Sequence, residues 1–295
     1  MYALNLRSLG ATVLGTLLAS SAVAVPATTQ VLTPKGLRPA AGLIQVPAGG
    51  RIEHVGDELH LIAADGAVLH VASKGTSPSP NTAPPTPEET GWITYANWLN
   101  TVLVGDGAHI GSFNTTWTVP PVPAAWHNQT VFLFNALEPD SFDEIVQPVL
   151  QYGVSAAGGG QFWAVASWYI NKGTTFVTTP IAVNPGRSLQ AEMQLDGTGP
   201  GTFNYSCSFT NVEGTTLQVN GAKELRWATL TLEAYNITES DDYPAGSTVF
   251  SGTNIQYSNG SFPNMQWSVV NDPADGLSTN INVEGSSNAM ITITY

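Results

Sequence analysis

The chain has 295 residues, with 22 Asp and Glu against nine Lys and Arg and a formal net charge of −13. From Gly91 onward sixteen acidic residues face only four basic ones, a balance that repels nucleic acid and anionic membranes and suits an acidic medium, where protonation relieves self-repulsion. Cys207 is the single cysteine, which excludes an intrachain disulfide and leaves stabilisation to the core.

The chain opens "MYALNLRSLGATVLGTLLASSAVAVPA". One arginine, an apolar run and the A-x-A pattern Ala22-Val23-Ala24 predict a secretory signal peptide over residues 1–24, so an extracellular destination is expected. The run is short for a bilayer span, and no later segment is apolar enough to cross a membrane. Five N-x-[ST] sequons, at Asn114, Asn128, Asn204, Asn236 and Asn259, fit secretion as candidate glycosylation sites, though each is equally a chance match.

Residues 25–74 form a mixed segment in which Leu59–Ile62 and Val68–Val71 alternate well enough to predict a hairpin about Ala64-Asp65-Gly66. Residues 75–91 ("KGTSPSPNTAPPTPEETG" spans them) read as a proline- and serine-rich linker. The main domain is 92–295. There, short strands are separated by Gly, Pro, Asn and Asp clusters, from "NWLNTVLVG" through "QTVFLFNA", "EIVQPVLQYG" and "ATLTLEAY" to "NAMITITY". Twelve such stretches without a useful amphipathic helix indicate an all-β sandwich or barrel.

Two strands carry unusual polar residues. In "ATLTLEAY" a period-two strand puts Thr229, Thr231, Glu233 and Tyr235 on one face and Leu230 and Leu232 on the other. A mid-strand glutamate is either a surface charge or placed for chemistry. In "EIVQPVLQYG" Gln147 and Gln151 share a face with Ile145 and Val149, and Pro148 implies an edge strand or a bulge. The five histidines are scattered without metal-ligand spacing, so no metal or cofactor is implied. No G-x-S-x-G is present, and "SAAGGGQ" reads as a hairpin loop rather than a phosphate cradle. Chemistry, if any, falls to carboxylates and amides.

Taken together, "NWLNTVLVGDGAHIGSFNTTWTVPPVP", "FNALEPDSFDEIVQ", "FWAVASWYI" and "ATLTLEAY…YPAGSTVFSGTNI" resemble, in order and spacing, the glutamic peptidases (eqolisins), secreted fungal acid endopeptidases. The resemblance runs from about Asn97 to the C-terminus. It implies a concanavalin A-like or jelly-roll sandwich of two antiparallel sheets with a concave cleft, and a monomer acting on polypeptide substrates. By motif, the family's catalytic pair falls on Gln147 and Glu233. A partly desolvated glutamate can serve as general base and then general acid, while a glutamine amide orients the water and binds the developing oxyanion. Trp98, Gln151, Trp163, Ser167, Tyr169 and Thr231 are the implied substrate-contacting positions. Gln151 and Ser167 stand where the family has acidic residues, and Glu138 and Asp140 are only roughly placed.

Family members are made with a prosegment removed by autolysis in acid, and residues 25 to about 90 could be that segment or a small permanent β module. Its basic residues, set against six acidic ones, predict no strong electrostatic clamp. Two other readings stand beside the peptidase: a catalytically altered carbohydrate-binding or wall-associated sandwich, and a glycoside hydrolase. The latter requires a second carboxylate on the face of Glu233.

Overall fold

The computed structural model describes residues 29–74, 91–102, 108–271 and 276–295. The signal-peptide segment and nearly all of the proline-rich linker lie outside the described residues. The N-terminal segment supplies β1 (Gln30–Thr33), β2 (Gly36–Pro39), β3 (Leu43–Val46), β4 (Arg51–Val55), β5 (Glu58–Ile62) and β6 (Val68–Ser73). Then follow β7 (Trp92–Leu99), β8 (Ile110–Thr118), β9 (Thr130–Glu138), β10 (Glu144–Ser155), β11 (Gly158–Asn171), β12 (Thr174–Thr178) and β13 (Ile181–Val183). The rest are β14 (Ser188–Gly199), β15 (Thr202–Phe209), β16 (Leu217–Ala222), β17 (Trp227–Tyr235), β18 (Ser247–Tyr257), β19 (Ser268–Asn271), β20 (Ser278–Val283) and β21 (Ala289–Thr294).

These strands make an all-β sandwich. One sheet runs β19-β7-β17-β9-β10-β11-β12-β3, with β13 beside β11, and the other runs β20-β21-β18-β8-β14-β15-β16-β4-β5-β6. Pairing is antiparallel except at β12–β3 and β16–β4. Those two parallel joints are where the N-terminal segment adds one strand to the first sheet and three to the second. The expected hairpin about residues 64–66 is present, as β5 and β6.

Alternation sends Leu133, Leu137, Leu150, Trp163, Tyr169 and Leu230 of the first sheet inward against Phe113, Trp117, Met193, Tyr205 and Phe250 of the second. Unusually, β9 is buried at every position, β10 at its first ten and β17 at its first eight. Strands buried on both faces need a cover on the side away from the core. A second apolar cluster, including Phe132, Phe134, Val149, Trp168 and Trp227, fills that outer face, and Leu32 and Leu43 of the N-terminal segment pack onto it. The β1–β2 hairpin lies over this concave surface.

Some expectations change. Pro148 sits in a central strand rather than at an edge. Its missing N–H falls where the ladder to β9 is interrupted between the pairs Val146–Leu137 and Val149–Phe134, and the pairing with β11 runs unbroken past it. The bulge comes later, at Tyr152/Gly153. The stretch "TTFVTTPIAV" breaks at Thr179-Pro180 into β12 and β13. Among the sequons, Asn128, Asn236 and Asn259 are exposed. Asn114 and Asn204 are half-buried in strands, with side-chain oxygens accepting from Asn254 and the Gly221 amide.

The N-terminal segment also contributes a titratable contact. His54 of β4 lies 2.7 Å from the Tyr169 hydroxyl, which donates to Glu144 at 2.5 Å, leaving the imidazole Nε2 as donor to the tyrosine. Burial, helped by the Lys74 and Lys223 charges, lowers the His54 pKa to about 4. A histidine held neutral in the folded state contributes fully above its ordinary pKa of about 6.5 and progressively less as pH falls towards 4. The advantage of wild type over His54→Gln in urea-unfolding stability should therefore shrink by about 3 kcal/mol between pH 7 and 4.

Candidate active site

On β10 the outer face carries Ile145, Gln147, Val149 and Gln151; on β9 it carries Phe132, Phe134, Ala136 and Glu138. On β17 it carries Thr229, Thr231 and Glu233. These assignments follow from period two and from the members of the outer cluster. Gln147 and Glu233 therefore share one face of one sheet, with β9 between their strands. Glu233 is opposite Phe132, which is opposite Gln151, so Gln147 lies four residues farther along β10. Both side chains are completely buried.

The tip of the β1–β2 hairpin connects them. Gln147 Nε2 donates to the Pro34 carbonyl at 2.7 Å. The next residue, Lys35, sends its ammonium into an ion pair with Glu138 and donates to the Phe142 carbonyl at 3.2 Å. The Gly36 amide faces Glu233. The tip is curled: the Lys35 amide donates to Thr33 O at 2.9 Å, Thr33 Oγ1 to Gly36 O at 2.8 Å and the Arg38 guanidinium to Lys35 O at 3.1 Å. Gly36 has φ +85, the left-handed geometry that this turn requires and glycine allows at least cost. Among the described residues, the hairpin tip brings a buried ion pair, Lys35 with Glu138, to this face.

Glu233 Oε1 accepts from the Tyr235 hydroxyl at 2.5 Å. Burial raises the Glu233 pKa to about 8, against the opposing pull of Tyr235, the Gly36 amide, the Trp92 indole and the Lys35 charge. Neither the Gly36 nor the Trp92 N–H closes a well-formed hydrogen bond to Oε2. Glu233 Oε2, Gln147 Oε1 and Trp92 Nε1 are all buried without a hydrogen-bond partner in the protein, so the site keeps acceptors and a donor unused. In this closed arrangement Glu233 is a neutral acid at neutral pH.

The remaining expected site residues divide by face. Thr231 is on the concave face, fully buried, its hydroxyl 2.5 Å from that of Thr229. Gln151 is there too, but its amide is committed to Gly153 O and Gly158 O and its oxygen to Ser155 Oγ, pinning the β10–β11 turn. Trp98, Trp163, Ser167 and Tyr169 do not line the cleft. Gln147 is paired with Trp168, so the odd-numbered residues of β11 face the other sheet, where Trp163 and Tyr169 join the inner core and Ser167 Oγ reaches Cys207 O at 3.5 Å. Trp98 packs on the same inner core. The aromatics that do line the cleft include Trp92, Phe134, Trp168, Trp227 and Tyr235.

Sequence reasoning missed Lys35 as a cleft residue and left Glu138 loosely placed. Parity could have put Glu138 beside Phe134, had the strand's C-terminal limit been known. It is the second carboxylate of the face. Among the described residues one cluster has metal-ligand proximity, His127, Glu239 and Asp242. Asp242 is already saturated by the Thr238 amide and hydroxyl, the Glu239 amide and His127, which accounts for it as a loop lock.

No protein-family model and no curated protein sequence matches the chain. Solved structures do. Scytalido-glutamic peptidase with a peptide-based transition-state analogue is 14% identical, covers 70% of this chain and 98% of its own, and has a TM-score of 0.45. SCP-B, a member of the eqolisin family of peptidases in complex with the tripeptide Ala-Ile-His, gives the same identity and coverage with a TM-score of 0.43. Aspergilloglutamic peptidase from Aspergillus niger is 15% identical and covers 56% of this chain and 98% of its own, with a TM-score of 0.34.

The elevated Glu233 pKa fixes the sign of a pH effect. A carboxyl that binds its proton more tightly when folded contributes stability below its ordinary pKa of about 4.5, and that contribution is lost as pH rises through 8. The advantage of wild type over Glu233→Gln, a variant neutral at that position, should fall by about 4 kcal/mol in urea-unfolding stability between pH 4.5 and 8.

Proposed function

We propose that the chain is the latent form of a secreted acid endopeptidase in which Glu233 is the general base and Gln147 the carbonyl-binding amide. One observation carries this reading. A peptide carbonyl, that of Pro34, is held by Gln147 Nε2 at 2.7 Å within a slot that also buries a carboxyl of raised pKa. A side-chain amide that holds a peptide carbonyl, on the same sheet face as a buried carboxyl with one oxygen unused, offers what a substrate backbone would need.

The mechanism follows from the groups. When the hairpin leaves, water reaches Glu233, and the desolvation that raised its pKa fades, so the carboxylate forms in mild acid. Glu233 then takes a proton from water as that water attacks the carbonyl carbon, and returns it to the departing amine. Gln147 donates to the oxygen as negative charge develops there. Tyr235, hydrogen-bonded to Glu233 Oε1, holds the carboxylate in one orientation and leaves Oε2 for the water. The hairpin itself resists cutting because its tip is curled, with the Lys35 nitrogen turned back on Thr33 O.

Acid-incubated protein should cleave a denatured protein substrate between pH 2 and 6. Glu233→Gln and Gln147→Ala should each lower that rate by 10²-fold or more while keeping the wild-type β-sheet circular dichroism. Absence of cleavage in the wild type, or full activity in Glu233→Gln, would sink the reading. Lys35→Ala should remove the ammonium from the buried pair with Glu138 and weaken hairpin docking by about 3–5 kcal/mol. Its signature is activity that appears sooner after acidification.

A further inference from the structure

We infer that Glu138 and the Phe142 carbonyl form a subsite for a lysine side chain, so that peptides are cut preferentially on the N-terminal side of lysine. The inference rests on the peptidase reading and deepens it. The carbonyl that Gln147 binds belongs to residue 34, so the bond that it would polarise is Pro34–Lys35. The residue on the leaving side of that bond is the one whose ammonium enters the Glu138 slot. Lys35 is thus a lysine caught at the position after the scissile bond.

The slot belongs to the body of the sandwich rather than to the hairpin. Glu138 ends β9, and its side chain is completely buried; that of Lys35 is 3% exposed. A carboxylate so placed is stabilised only by a partner that brings positive charge and hydrogen bonds together. Phe142 adopts φ +51, strained for an aromatic residue, with its amide bonded to Pro139 O at 3.0 Å, and its carbonyl meets the ammonium. Its ring sits edge-on to Trp227 at 5.2 Å, which holds the loop in that shape. A single carboxylate oxygen and a single carbonyl, at different angles, match a compact ammonium with three donors better than the planar fork of arginine.

The reaction adds water across the bond. The water oxygen joins the carbonyl carbon, the C–N bond breaks, and the new amino group of lysine takes the proton from Glu233.

Two measurements test this. Acid-incubated full-length protein digests a denatured substrate, and the cut sites are mapped by mass spectrometry. Lysine should be enriched directly after the cut ~10–100-fold over norleucine-sized neutral residues, the range for a charge-assisted hydrogen bond. In Lys35→Met/Glu138→Gln, which removes both buried charges together, the enrichment should vanish. Cuts without lysine enrichment, or enrichment that survives in the double variant, overturn the subsite. If no bond is cut, the peptidase reading falls, and the second measurement alone decides whether the slot binds lysine. In it, butylammonium is added to Lys35→Ala. The subsite requires that butylammonium, unlike 1-butanol, restore thermal stability towards wild type, with no effect on Lys35→Ala/Glu138→Gln. Equal effects of the amine and the alcohol refute it.

Discussion

The buried pair between Lys35 and Glu138 sets the register of everything over the concave face. Two charges removed from water are costly, and their attraction repays the cost only in one geometry. With the pair formed, Pro34 and Gly36 have no freedom left: one falls on Gln147 and the other beside Glu233. A neutral tip of similar size would cover the same apolar surface but could slide along it.

That position matters because the sheet beneath has no outside. The central strands β9, β10 and β17 are buried on both faces, so polar groups on the concave side are taken from water whenever the hairpin is down. The raised pKa of Glu233 is the direct consequence, and Tyr235 only partly offsets it. Cover and ionisation are thus coupled. The same closure that completes the packing of Phe134, Trp168 and Trp227 keeps the carboxyl protonated. Elsewhere in the segment, His54 of β4 is held neutral by burial against the inner-core Tyr169, so lowering the pH strains the attachment of β4 while suiting Glu233.

Much of the sandwich was legible because its strands alternate cleanly and are separated by turn residues. Glu233 and Gln147 were legible as members of polar strand faces, and parity alone was enough to group each with its neighbours. What parity could not give was the register of β11 against β10. Without the Gln147–Trp168 pairing nothing distinguishes Trp163 and Tyr169 in the core from Trp168 in the cleft. Pro148 misled for a related reason, since a missing donor is tolerated in a central strand wherever one ladder skips a pair. The strands β19 and β20 are too short to set up a clear alternation, and β3 and β4 find partners more than a hundred residues away in sequence. In the sequence Lys35 is one of the few basic residues of the N-terminal segment; only the tertiary fold supplies its acid.

The two parallel joints, β3 on β12 and β4 on β16, fasten the N-terminal segment to the edges of opposite sheets. A group tethered in this way meets its site at an effective concentration in the millimolar range for a short connection. The hairpin tip can therefore occupy the cleft with contacts that would be feeble between separate molecules. On the proposed latent-peptidase reading, severing the backbone connection would turn the same tip into a dilute competitor. Occupancy would then depend on how much of it is present, and opening would come by dilution rather than by altering any contact in the cleft.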